Sequence, residues 1–87
     1  MSVNDRQELW SKIDGAKQRL IELSDRVWGM PEVCYTELRS AAEHKAELLH
    51  QGFRVKEGLA GIPTSLVGEI GESGPVIAFL GEYDALP

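Results

Sequence analysis

Two carboxylates stand two residues apart in Gly81-Glu82-Tyr83-Asp84-Ala85-Leu86-Pro87, directly after the apolar run Val76-Ile77-Ala78-Phe79-Leu80. Residues two apart on an extended chain share one side, and open α/β sheets bind ligands outside the carboxyl ends of their strands. Glu82 and Asp84 could therefore face one site, where paired carboxylates bind a divalent cation or orient groups that do. The competing reading is a pair of solvated loop residues, with Asp84 opening a turn before Pro87, and spacing alone favours it. The remaining chemistry-bearing residues offer less. His44 and His50 lie six apart on one expected helix, roughly 240° around from each other, so they cannot chelate one ion and read as surface residues. Cys34 has no base near it in sequence and reads as a small packing residue. No H-E-x-x-H, C-x-x-C, G-x-G-x-x-G or P-loop pattern occurs. Trp10 and Trp28 read as core or interface contacts.

Helices and strands must position these groups. Leu9, Ile13, Ala16, Leu20, Leu23 and Val27 recur at spacings of three and four, which predicts one helix over residues 5–28 with Asn4 as N-cap and Gln7 at the capping-box position. Gly15 lies off the stripe and weakens that helix. Leu38, Ala42, Ala46 and Leu49 share a face and predict a second helix over residues 37–51, with Thr36 as N-cap and Gly52 as the left-handed residue at its end. The pattern then changes period. Residues 53–56 alternate as a short strand, 64–70 read as a second strand, Gly71-Glu72-Ser73-Gly74 has hairpin-turn composition, and 76–80 read as a strand buried on both faces. The expected architecture is α/β, two helices followed by about three strands. Two helices cover only one face of such a sheet, so further protein is expected to complete the core.

Composition bounds the partners. The chain has 87 residues with a net charge of -5. One small domain at most is expected, and an acidic chain gains nothing from a phosphate backbone, so no nucleic-acid partner is expected. No run is long enough to span a bilayer and no basic amphipathic helix suggests a membrane surface. A single cysteine and the absence of a secretory signal point to the cytoplasm.

Four stretches carry a resemblance when taken in order: Trp28-Gly29-Met30-Pro31-Glu32; Leu49-His50-Gln51-Gly52-Phe53-Arg54-Val55; Gly61-Ile62-Pro63-Thr64-Ser65-Leu66-Val67-Gly68; and, most specifically, Pro75 through Gly81-Glu82-Tyr83-Asp84-Ala85-Leu86-Pro87. Together they resemble the N-terminal part of the amidohydrolase branch of metallopeptidase family M-twenty, of the aminoacylase/carboxypeptidase type. The resemblance implies that residues 1–87 are the opening portion of a single larger α/β zinc-peptidase-like catalytic domain. It implies hydrolysis of the amide bond of N-acyl or N-aroyl amino acids, such as aminobenzoyl-glutamate, or of short peptides, in a homo- or hetero-oligomer. Two divalent metals, zinc or manganese, activate the attacking water in the family, and their other ligands and the general base lie downstream. Tight metal binding by this segment alone is not expected. Asp84 matches the aspartate of the family's His-x-Asp motif, which orients a metal ligand. Glu82 stands where many members carry a metal-binding histidine, although this branch tends to be acidic there. On this reading the segment alone is inactive. The alternatives are a non-catalytic module that docks on a full-length relative, and a truncated product without function.

Overall fold

The computed structural model describes residues 3–87. In chain order it contains α1 (Val3–Gly15), α2 (Lys17–Trp28), α3 (Leu38–His50), β1 (Arg54–Glu57) and β2 (Leu66–Glu69), with a single 3-10 turn (Leu59–Gly61) joining the strands. The architecture is mixed α and β, as expected, but the sheet among the described residues is a two-stranded antiparallel hairpin rather than three strands.

The helix predicted over residues 5–28 is divided at Ala16, which has φ −93° and ψ −3°. The interruption is slight. The Ala16 N–H reaches the carbonyls of both Lys12 and Ile13, and Leu20 N–H still bonds Ala16 O at 3.0 Å. Gly15, the weakest helix former in the run, sits where the geometry tightens. Asn4 lies inside α1 and does not cap it; Met1 and Ser2 lie outside the described residues. The apolar stripe is used unevenly. Leu9 and Ile13 on α1 are exposed, whereas Leu23 and Val27 on α2 are half-buried, because only α2 packs against α3. Two ion pairs hold that packing from outside: Arg19 Nε to Glu47 Oε2 at 2.6 Å and Arg26 Nε to Glu43 Oε2 at 2.8 Å. Arg19 lowers the carboxyl pKa of Glu47 below its ordinary value through that hydrogen bond, against a smaller opposing effect of desolvation.

The end of α3 follows the sequence expectation. Gly52 has φ 91°. Its N–H bonds Leu49 O at 3.1 Å, and Phe53 N–H bonds Leu48 O at 3.0 Å, the paired closure that a left-handed glycine permits. The start differs. Thr36 does not cap; its hydroxyl donates to Val33 O at 2.7 Å, and Glu37 occupies the N-cap position without a side-chain bond to the helix.

Phe53 and Leu48 converge on the hairpin at Gly68. A Cβ at this position would lie 3.1 and 3.2 Å from the two Leu48 methyls and 3.3 Å from Phe53 Cδ2. Gly68 pairs with Val55 across the ladder, so the missing side chain is what lets α3 approach the sheet. A larger residue must displace side chains from both elements. Gly68→Val should therefore lower stability by about 1–3 kcal/mol through overpacking, despite valine's better strand propensity. Accelerated amide exchange along the β1–β2 ladder would register it; unchanged exchange would show that Leu48 and Phe53 yield freely.

The interior is small. Among the described residues only Ser40, Ala41 and Thr64 are buried. The radius of gyration is 15.0 Å, against roughly 12 Å for a compact chain of this length. The expected third strand is absent: residues 76–80 form no regular structure, and Val76, Phe79 and Leu80 are 95%, 94% and 101% exposed. Gly71 and Gly74 do adopt the positive φ of a turn, but no strand returns from it. An apolar run fixes the need for burial, not the partner. Here α3 covers the hairpin and α2 covers α3, leaving no sheet edge or helix face over residues 76–80. None of the described helices is long and apolar enough to cross a membrane.

Candidate functional site

The chain after residue 80 folds back onto the helices. Ala85 N–H donates to Glu32 O at 2.7 Å, and Val33 and Ala85 form an isolated parallel bridge. Between these anchors, the Tyr83 ring stacks on His44 with centroids 4.7 Å apart and planes at 23°, and its hydroxyl donates to Thr64 O. Burial, and then the nearby negative charge of Glu37, push the Tyr83 pKa above its ordinary value of 10.0. The ring therefore keeps its proton, and the donor, at all physiological pH. His44 is half-buried, which corrects the expectation of a surface histidine. Its Nδ1 lies 2.8 Å from Ser40 O. A carbonyl can only accept, so Nδ1 is the donor in this bond. His50 and Cys34 are exposed; the exposed thiol is not the packing residue expected.

The local alternation of residues 82–85 is as the spacing required. Tyr83 and Ala85 are half-buried, and Glu82 and Asp84 are exposed. The two carboxylates nevertheless border different clefts, with Tyr83 as the wall between them. Glu82 lines a depression of about 260 Å³ with Leu20, Leu23, Val27 and His44. Asp84 lines a larger, mostly apolar cleft of about 550 Å³ with Trp28, Met30, Pro31, Glu32 and Leu86. The carboxylate that shares a cleft with Asp84 is Glu32, 52 positions earlier by subtraction of their numbers. Among the described residues, no group of three or more His, Cys, Asp or Glu could hold a metal ion. The donor set present does not fit a two-metal centre.

Glu32 owes its place to α3. The first amides of a helix have no partner within it. Glu32 Oε1 accepts Ser40 N–H at 2.8 Å, and Oε2 accepts Arg39 N–H at 3.2 Å and Arg39 Nε at 3.3 Å. Leu38 N–H bonds Thr36 O at 2.8 Å, and Ala41 N–H closes the first turn onto Glu37 O at 2.9 Å. Glu32 thus caps α3 from outside the helix, where its charge also meets the positive end of the dipole. The Ser40 N–H is the chief cause that holds its pKa at about 2, down from 4.5, against a smaller opposing effect of desolvation. A depressed carboxyl pKa adds stability that is full above the unfolded value and is lost as pH falls through the folded one. The cap should therefore hold above about pH 4.5 and fail progressively toward pH 2. The Ser40 amide shift, followed by NMR, should titrate near that lower value, and Glu32→Gln should abolish the titration. A midpoint near 4.5 would show that the bonds to Ser40 and Arg39 do not persist in solution.

Sequence reasoning used Pro31-Glu32 only as part of a resemblance and missed its structural work. The sequence offered no signal for it, because Thr36 stands immediately before the helix predicted from residue 37 and reads as its cap; only the start at Leu38 leaves the amides in need of another acceptor.

No family model matches the chain, and no solved structure matches it. A curated protein does. Over 85 aligned residues, covering 92% of this chain, it is 41% identical to a hydrolase of Escherichia coli (strain K12) that is named as a subunit of p-aminobenzoyl-glutamate hydrolase. The match spans 18% of that protein's length. Along nearly its whole length the chain is therefore related in sequence to this p-aminobenzoyl-glutamate hydrolase subunit and corresponds to a part of it.

Proposed function

We propose that the chain forms part of a metal-dependent hydrolase that cleaves the amide bond of N-acyl or N-aroyl amino acids, p-aminobenzoyl-glutamate among them, or of short peptides. The observation that carries this reading is the 41% identity over 92% of the chain to a hydrolase subunit of that name. The relative is named as a subunit, which supports assembly with a second kind of chain. The metal ligands are not supplied by the described residues, which hold no group of three or more His, Cys, Asp or Glu able to bind a metal ion. What this chain contributes is orientation. Asp84 lies at the rim of the larger cleft, beside Ala85 whose N–H bonds Glu32 O, and on this reading it aligns a group of the active centre. Glu82 borders the other cleft beside His44 and is the weaker candidate. The chain alone is inactive on this reading.

A segment exchange tests the proposal. The matching segment of the Escherichia coli protein is replaced by residues of this chain, and release of p-aminobenzoate and glutamate is followed with zinc or manganese present. Activity in the hybrid and none in the 87-residue chain is the expected result. A folded hybrid without activity would sink the reading, as would turnover by the 87-residue chain by itself.

A further inference from the structure

We propose that Glu32 is a positioning residue for Asp84. It rests on the hydrolase reading for what Asp84 does, but not for the link itself. Two bonds meet in one residue. The side chain of Glu32 is fixed by the Ser40 and Arg39 amides at the start of α3, and its backbone carbonyl accepts the Ala85 N–H at 2.7 Å. Ala85 follows Asp84 directly, so the carbonyl that receives its N–H fixes where the Asp84 backbone lies. The carbonyl is steady because the carboxylate of the same residue is held by a helix. The loop around it is exposed at Pro31, Val33, Cys34 and Tyr35, and its other bonds are the closure of Thr36 onto Val33 O and the Val33–Ala85 bridge, which continues from Glu32. On the other side of Asp84, the Tyr83 stack on His44 prevents rotation of the segment about the Ala85 bond. His44 is in turn bonded to Ser40 O, in the same residue whose N–H Glu32 accepts. The start of α3 therefore grips the Asp84 segment from both sides, and the Pro31-Glu32 pair is the point at which one grip is set. Glu32 touches no reacting atom in this scheme; it acts through Asp84.

Two measurements test it. In the 87-residue chain, amide exchange at Ala85 should accelerate about tenfold or more in Glu32→Ala, and by less in Glu32→Gln, which keeps one acceptor oxygen, while the β1–β2 ladder amides are unchanged. In the segment-exchange hybrid, Glu32→Gln should lower kcat by about 10-fold, at the near end of the range for residues that orient a metal ligand, with KM within about twofold. Combined with Asp84→Asn it should cost nothing further, because residues acting through one another are not additive. Unchanged Ala85 exchange in both variants, or losses that multiply in the double variant, would overturn the proposal. An inactive hybrid would overturn the hydrolase reading instead, and Ala85 exchange would still decide whether Glu32 holds this segment.

Discussion

Phe79→Ala should leave the stability of the 87-residue chain almost unchanged and should destabilise the segment-exchange hybrid by about 3–5 kcal/mol. The first half follows from exposure. Phe79 is 94% exposed, with Leu80 and Val76 as open as it is, and substitutions at such positions shift stability by no more than about 0.5 kcal/mol. The second half follows from the sequence of residues 76–80. Five consecutive apolar residues are what a strand covered on both faces requires, and removing a phenylalanine from a packed interior loses its transfer energy and leaves a cavity. Urea denaturation of both proteins gives the comparison. An equal loss in both would mean that residues 76–80 find a partner within the isolated chain. No loss in either would mean that the run is not a buried strand in any context. The isolated chain should also associate as its concentration rises, since an unpaired apolar segment is a template for strand pairing.

Asp84→Asn should lower the kcat of the hybrid by about 10–100-fold, the range for groups that orient a metal ligand, with little change in KM. Asparagine keeps the shape and one acceptor oxygen but removes the charge. A group that only fills space at the rim of the cleft would tolerate that change, whereas a group that orients a reacting centre by its charge would not. Equal urea midpoints for the Asp84→Asn and parent hybrids would show that the loss is chemistry and not unfolding. A hybrid that tolerates Asp84→Asn would return Asp84 to the solvated-loop reading that its spacing first suggested. Glu82→Gln serves as the internal comparison, because Glu82 borders the other cleft.

Several features were legible before any coordinates. The end of α3 at Gly52 came from a single glycine after a periodic run, and the structure closes it with Phe53 N–H on Leu48 O. β1 and β2 fall inside or within one residue of the predicted strand stretches. These are decided by bonds between residues a few positions apart, so a local window contains the physics. The division at Ala16 was only half visible. Gly15 was noted as a weak point, but where a weak point yields depends on how each side of the helix packs, and α2 is the part that packs extensively on α3.

The sequence by itself determined that α3 closes before Gly52 and that two short strands follow it, because propensity, turn chemistry and periodicity act over a few residues; it placed the hairpin turn at residues 71–74, whereas the strands that pair are the two before it. Only the tertiary structure decided that Tyr83 stands between Glu82 and Asp84 as the wall of two clefts, that His44 is half-buried beneath it, and that Glu32 rather than Thr36 satisfies the start of α3. Each of these joins residues that are far apart or separated by a turn of unspecified path. A free amide at a helix start states that an acceptor is needed, and a lone carboxylate states that a donor is needed. Which of them meet depends on how the chain between them packs.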